Sequence, residues 1–195
     1  MNPRSNLNLE LRVRWKILAL FNVLFFSCAL VTQVLSSLLL QPLLYSGWHP
    51  NVPEIFLNGN WLVMVFGIFF FNLALSSFVF VTLPGIAFFP LSAGFLLFRG
   101  FLWGLLLYES PNWLFAASLP TVVLEGEAYV FAAAAGTIIG ASWIKPGLVH
   151  GKSELSRVQA FKKSLKECLT IYAIVVVLLF VAAIVEAATI LLIAW

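Results

Sequence analysis

The sequence predicts an all-α, polytopic transmembrane helix bundle that forms a single domain over residues 1–195. Hydrophobic residues make up 62% of the chain and charged residues only 10%, and the mean hydropathy is +1.03. Soluble domains carry about 25% charged residues, and a soluble fold of this size has too little interior for so much apolar surface. The composition therefore excludes a soluble enzyme and a nucleic-acid-binding protein.

Five apolar stretches are long enough to cross a bilayer, which takes about 20 mostly apolar residues. They lie at 15–40, 61–83, 91–108, 125–144 and 168–194. The first stretch is longer than the apolar core of a signal peptide, so we expect it to be retained. Pro84, Gly85 and Pro90 predict a break after the second stretch, and Lys145-Pro146-Gly147 predicts the end of the fourth.

A sixth apolar segment, 113–124, is too short to cross. It has 12 residues and contains Pro120. Its length and its proline predict a re-entrant or interfacial segment.

The basic residues predict the orientation of the chain. Of 11 Lys and Arg residues, four lie before or at the very start of the first span, six lie between the fourth and fifth spans, and the last is Arg99. Basic loops stay on the cytoplasmic side, so the N-terminus and the loop 145–167 are predicted to be cytoplasmic. Five spans then place the C-terminus outside.

The loop before the last span predicts an amphipathic helix over 153–166. Leu155, Val158, Phe161 and Leu165 recur at helical spacing, and Ser153 is a candidate N-cap. The basic face of such a helix fits anionic lipid or a partner protein. A charge that only sets the topology is the simpler interpretation, and we favour it.

Polar residues at membrane depth are candidate functional sites because a charge there is costly. These residues are Asn72, Arg99, Glu125, Glu127 and Glu186. Glu125 precedes Trp143 by 18 residues and Glu186 follows Cys168 by 18, which places each carboxyl about 27 Å from the inner boundary at 1.5 Å per residue.

This depth comparison predicts two pairs of side chains. Glu125 should lie beside Glu186, and Arg99 should lie near Asn72 around the middle of the bilayer. Two neighbouring carboxylates in a low dielectric should not both be ionised, so the pair should hold a proton or bind a cation. The alternative, which we favour, is a structural hydrogen-bonded pair at the start of the fourth span.

Small residues predict two places of close helix contact. One is Gly100 with Gly104, and the other is the series Ala132, Gly136 and Gly140. We favour packing inside the bundle, with the fourth span at its centre, over a homodimer face. The spacing of the two cysteines indicates neither a disulfide framework nor a metal site, and the sequence indicates no cofactor.

Three blocks of the chain resemble the stage II sporulation protein M family of integral membrane proteins. The first block is Gly67 to Asn72 with Phe98-Arg99-Gly100-Phe101-Leu102-Trp103-Gly104; the second is Leu119-Pro120-Thr121-Val122-Val123-Leu124-Glu125 with Ala132-Ala133-Ala134-Ala135-Gly136; the third is Val181-Ala182-Ala183-Ile184-Val185-Glu186-Ala187. Against the family pattern, Thr121 and Val122 replace His-Gly, Arg99 replaces Asn, and Glu127 is an added acid.

The resemblance implies a role in the membrane of a prokaryotic cell rather than a reaction. The sporulation member works in a membrane complex with cell-wall hydrolases, and other relatives accompany ABC-type exporters or circular-bacteriocin systems. The resemblance thus favours a non-enzymatic scaffold or accessory subunit that contacts other membrane proteins and the lipid bilayer. The alternative is a transporter or channel-like protein with a proton- or cation-linked site at Glu125 and Glu186. No catalytic constellation supports an enzyme.

The topology can be tested with reporter fusions. A reporter after Trp195 should be active only outside the cell, and the same reporter inserted after Gly151 should be active only in the cytoplasm. A cytoplasmic reporter after Trp195 would contradict the five-span topology.

Overall fold

The structure, a computed structural model, describes residues 3–39, 60–109, 112–151 and 155–194, and these residues form an all-α bundle without strands. The helices are α1 (Pro3–Leu39), α2 (Trp61–Phe70), a π-helical segment (Phe71–Thr82), α3 (Leu83–Ala87), α4 (Pro90–Glu109), α5 (Asn112–Ile144), α6 (Pro146–His150) and α7 (Arg157–Ala194).

The predicted polytopic bundle is confirmed. In the described parts of the chain, five stretches are long and apolar enough to cross a membrane: Arg14–Leu39, Trp61–Ala87, Pro90–Tyr108, Phe115–Ile144 and Arg157–Leu192. Each contains one of the five stretches expected from the sequence, apart from a residue or two at some ends.

The helix α5 is the centre of the bundle. In its most apolar 18-residue stretch 78% of the residues are buried, against 17–33% in the other four spans. It packs most extensively along α7 and also contacts α1, α4 and the π-helical segment. Its run of buried alanines, Ala132–Ala135, presents little side-chain volume, so several neighbouring helices can approach its backbone.

The predicted small-residue pairs serve packing inside the bundle. A Cβ atom on Gly140 would lie 2.0 Å from the carbonyl oxygen of Gly85, and one on Gly136 would lie 2.6 Å from that of Thr82. A Cβ atom on Gly104 would lie 2.5 Å from the carbonyl oxygen of Ala29. The glycines of α5 therefore receive the end of the second span, and those of α4 receive α1.

The break predicted at Pro84 and Gly85 is displaced. The helix continues to Ala87, and the chain turns at Phe88, whose backbone is extended (φ −149°, ψ 108°). Pro84 lies inside this continuous helix, just after the π-helical segment, and does not end it. Pro90 then begins α4.

The segment 113–124 is not a separate re-entrant element, as its length had suggested. It is the first part of α5, which continues through Pro120 without a break. Proline removes one intrahelical hydrogen bond, but it is tolerated inside membrane helices where neighbouring helices hold the backbone. Thr121 and Val122, which follow the proline, are both buried.

The predicted amphipathic helix is likewise not separate, because α7 begins at Arg157 and runs into the last span. Ser153 lies outside the described residues, and the helix is capped at Ser156. Ser156 Oγ accepts the N–H of Gln159 at 3.3 Å, and Gln159 Oε1 accepts the N–H of Ser156 at 3.1 Å, which is a capping box. Val158 is exposed, so the apolar stripe does not pack inward as a whole.

The two basic regions of the sequence meet at one end of the bundle. Arg14 Nη2 of α1 lies 2.6 Å from Glu167 Oε2 of α7. The short α6, which follows Lys145, contacts both helices. We call this the basic end, and the other the far end. Five crossings require this arrangement, since the two basic regions are separated by an even number of spans.

Replacing Gly140 with Ala should destabilise the bundle. The new methyl group would meet backbone rather than a flexible side chain, so overpacking should lower the free energy of unfolding by about 1–3 kcal/mol. The matched control is Gly67→Ala, because nothing lies within 4 Å of a Cβ atom there. That control should be neutral or stabilising by up to about 1 kcal/mol. Unfolding in detergent micelles measures both, and equal effects would contradict the close approach.

Candidate functional site

Five side chains from four parts of the fold form a charged cluster in which Asn72, Glu125 and Tyr129 are buried and Arg99 and Glu186 are partly buried. Asn72 lies near the start of the π-helical segment, Arg99 in the middle of α4, Glu125 and Tyr129 on α5, and Glu186 on α7. Glu125 is 2% exposed and Tyr129 is fully buried. We refer to these five residues as the charged cluster.

The hydroxyl of Tyr129 is the hub of the cluster. It accepts a hydrogen bond from Arg99 Nη2 at 2.5 Å and lies 3.0 Å from both Asn72 Oδ1 and Glu125 Oε2. The guanidinium also lies 4.5 Å from the centroid of the Tyr129 ring, which adds a cation–π contact. A hydroxyl has a single proton, so it donates to Asn72 or to Glu125 but not to both at once.

The carboxyl of Glu125 has partners on both of its oxygens. Asn72 Nδ2 donates to Oε1 at 2.5 Å, and the Tyr129 hydroxyl approaches Oε2. Ser76, one turn along the π-helical segment, donates to Asn72 Oδ1 at 3.3 Å. The carboxyl of Glu186 on α7 also lies beside that of Glu125. A chain of polar contacts thus runs from the second span through α5 to α7.

The structure joins the residues differently from the depth comparison. It brings Glu125 and Glu186 together, and it places Arg99 and Asn72 on the same hydroxyl rather than on each other. Glu127 lies apart from the cluster, because it follows Glu125 by only two residues and therefore lies on another face of the helix. Its carboxyl is half-buried and lies near the side chain of Asn22 on α1.

Sequence reasoning missed Tyr129. A signal was present, since Tyr129 follows Glu125 by four residues and so lies on the same face of α5, one turn away. The cluster carries one guanidinium and two carboxyls. With both carboxyls ionised it would hold a net negative charge in a low dielectric, which is costly.

Five buried polar atoms in or next to the cluster have no hydrogen-bond partner in the described structure. They are Ser77 Oγ, Arg99 Nε, Trp103 Nε1, Thr121 Oγ1 and Glu186 Oε2. Trp103 lies one turn beyond Arg99 on α4, and Thr121 lies one turn before Glu125 on α5. Trp103 and Thr121 lie toward the far end of the bundle, whereas Ser77, about one turn beyond Asn72 in the π-helical segment, lies toward the basic end.

A second polar layer lies on the other side of the cluster, toward the basic end. Thr82 Oγ1 donates to the carbonyl oxygen of Ala132 at 2.9 Å and accepts from the hydroxyl of Tyr172 at 2.5 Å. Ser92 Oγ donates to the carbonyl oxygen of Val81 at 3.0 Å. These hydroxyls are satisfied by backbone carbonyls or by each other.

The family model described as Stage II sporulation protein M matches residues 17–189, nearly the whole chain. The chain belongs to this family. No curated protein and no solved structure matches it. The blocks by which the sequence resembles the Stage II sporulation protein M family meet in the charged cluster: the first supplies Asn72 and Arg99, the second Glu125, and the third Glu186.

Tyr129→Phe should weaken the fold of this family member more than the same change at Tyr172. It leaves the partly buried Arg99 and the buried Asn72 and Glu125 without their common partner, which should cost about 1–3 kcal/mol. Tyr172→Phe removes a hydroxyl with one observed partner, and Thr82 keeps its bond to Ala132. The free energies of unfolding in micelles compare the two. An equal or larger loss for Tyr172→Phe would show that Tyr129 is not the hub.

Proposed function

We propose that the chain is a non-enzymatic accessory or scaffold subunit of a membrane complex. The observation that carries the proposal is the charged cluster itself, which ties the second span, α4, α5 and α7 into one packed unit. A bundle held in this way is suited to presenting fixed surfaces to other proteins. Outside its spans the described chain contains little beyond short turns and the basic end.

Two surfaces are available to a partner under this proposal. The first is the lipid-facing side of the bundle, above all α1, of whose most apolar stretch only 17% is buried. The second is the basic end, where Lys145, Arg157, Lys162 and Lys166 are exposed. We place the basic end in the cytoplasm of a prokaryotic cell, because basic loops are retained on that side of the plasma membrane.

A second candidate function is proton- or cation-linked transport. One observation favours it: the cluster holds two carboxyls for one guanidinium, so one carboxyl has no fixed counter-charge. A proton matches this site better than a metal cation, since the guanidinium of Arg99 would repel a metal ion. Transport also needs a path through the bundle, and the tight packing around Gly136 and Gly140 opposes one.

Purification from native membranes, followed by reconstitution, separates the two functions. As an accessory subunit, the chain should be isolated in mild detergent in a particle whose mass includes a stoichiometric second protein. The chain alone in proteoliposomes should then carry no more proton flux than its Glu186→Gln variant. A particle with the mass of one or two copies of the chain, together with flux that Glu186→Gln abolishes, would reject the scaffold and favour the transporter.

A further inference from the structure

One face of the central helix α5 is covered near the basic end and open in its first half. Near the basic end this face consists of three buried residues, Ala134, Ile138 and Ala141. The earlier residues of the same face are exposed or partly exposed: Ala116, Pro120, Val123, Glu127 and Phe131. These five positions follow each other at intervals of three or four residues, so they form one continuous strip along the helix. We call them the open strip.

The open strip lies between α1 and α7. Gly126 faces α1, because a Cβ atom there would overlap the ring of Phe25. Ala135 faces α7, because its carbonyl oxygen accepts a hydrogen bond from Sγ of Cys168 at 3.6 Å. At about 100° per residue, the open strip occupies the arc between these two directions. It is therefore on the side of α5 that faces away from the charged cluster.

The helices α1 and α7 form the two walls of a groove whose floor is the open strip. At the basic end they are joined by the ion pair of Arg14 with Glu167, and Ile17 and Cys168 pack in one hydrophobic cluster with Ile138. Both helices pack on α5, but within the described residues they are not packed along each other. They thus diverge from the basic end, and the floor between them is uncovered toward the far end.

Glu127 lies on the floor of this groove at membrane depth. It is 12 residues after Phe115 and 17 before Ile144, the two ends of the span. At 1.5 Å per residue, these separations are about 18 and 26 Å. Its neighbour on α1 is the uncharged Asn22, and no Lys or Arg of the described residues is paired with it. A partly exposed carboxyl at this depth is costly against lipid and therefore indicates a functional surface.

We propose that a transmembrane helix of a partner protein occupies this groove and places a Lys or Arg of its own span against Glu127. The proposal rests on the accessory-subunit function and names the surface by which that subunit contacts its partner. Each of the two opposite charges is costly when it is alone in the bilayer, and pairing compensates both. The short side chain of Ala116 and the ring of Pro120 add little height to the floor, so a helix can approach it closely.

Charge complementarity favours this occupant over lipid and over a second copy of the chain. An acyl chain has no donor for the carboxyl of Glu127. Among the described residues, Arg99 is the one basic residue away from the basic end, and it is already held by Tyr129. Two copies inserted in the same orientation would instead bring two Glu127 carboxyls to the same depth, where they repel each other when ionised.

Synthetic transmembrane peptides test the groove on the whole chain in proteoliposomes. The probes are apolar helices of about 20 residues with either Lys or Leu at the centre. Energy transfer between labelled chain and labelled peptide should show about tenfold tighter binding of the Lys peptide, the effect of one interhelical polar contact. Glu127→Gln should remove this preference, and Glu127→Lys should transfer it to a peptide with a central Glu. Equal binding of the Lys and Leu peptides to the wild type, or a preference that survives Glu127→Gln, would overturn the proposal. If Glu127→Lys does not fold, the near-isosteric Glu127→Gln decides alone.

Disulfide formation locates the bound peptide. In a background with Cys28→Ala and Cys168→Ala, the single cysteine of the chain is introduced by Val123→Cys or by the control Val177→Cys. Val123 is 49% exposed on the floor of the groove, and Val177 is 62% exposed on α7. Under a mild oxidant, Lys peptides with a cysteine one turn to either side of the Lys should crosslink to the first and not to the second. Equal crosslinking to both would place the peptide outside the groove. Energy transfer between two copies of the chain that Glu127→Gln abolishes would make a second copy the occupant, and either result rejects the proposal.

The particle purified from native membranes distinguishes failure of this site from failure of the proposed function. Glu127→Gln should lower the amount of the stoichiometric second protein in the particle about tenfold. A second protein that is retained in full by Glu127→Gln would leave the accessory function intact and overturn the site. A wild-type particle without a second protein would reject the function itself.

Discussion

The constraint on which the fold depends is the burial of one guanidinium within the membrane. An unpaired Arg99 would cost several kcal/mol in this setting, because nothing apolar replaces the water around a charge. The side chain is instead held by the hydroxyl and the ring of Tyr129, and Glu125 lies on the same hydroxyl. These partners come from another helix, so compensation of the charge fixes how α4 lies against α5. Asn72 extends the same requirement to the second span.

The central helix meets two different demands along its length. Its first half presents a stripe of Thr121, Glu125 and Tyr129, whose polar groups need partners. Its second half presents mainly alanine and glycine, which allow backbones to touch, and its buried hydroxyls, Thr137 and Ser142, bond to backbone carbonyls. The charged groups and the closest backbone contacts thus lie at different depths, so one helix is both the packing centre and the carrier of the charged site.

The sequence predicts the features that depend on sums over many residues. The five spans follow from apolar length, and the shared end of the two basic regions follows from counting charges; the ion pair between Arg14 and Glu167 agrees with both. The helix break predicted at Pro84 and the separate segment predicted around Pro120 were wrong. A proline acts locally, whereas packing on either side decides whether the helix continues.

The site was predictable in depth but not in direction. The depth comparison placed Glu125 beside Glu186, but it also made Glu127 a candidate site residue. Glu127 is rotated by about 200° from Glu125 around the helix axis and therefore faces α1. Tyr129 was not predicted as a site residue because tyrosines in membrane proteins are common at the membrane–water interfaces. Composition gives no sign that one of them lies at mid-depth. Only the spacing of four residues from Glu125 links it to the site.

The second carboxyl of the site, that of Glu186, lies on the last helix, α7, so the charge of the site affects how this helix packs. Arg99, Tyr129, Glu125 and Asn72 would form a balanced group without Glu186. Glu186 places a second carboxyl from α7 beside that of Glu125. With both carboxyls ionised, two like charges would face each other across the α5–α7 contact, where Ala182, Ala183 and Ala187 are buried. The outer surface of α7 belongs to the same helix, so a partner on that surface would contact a helix whose packing depends on the charge of this pair.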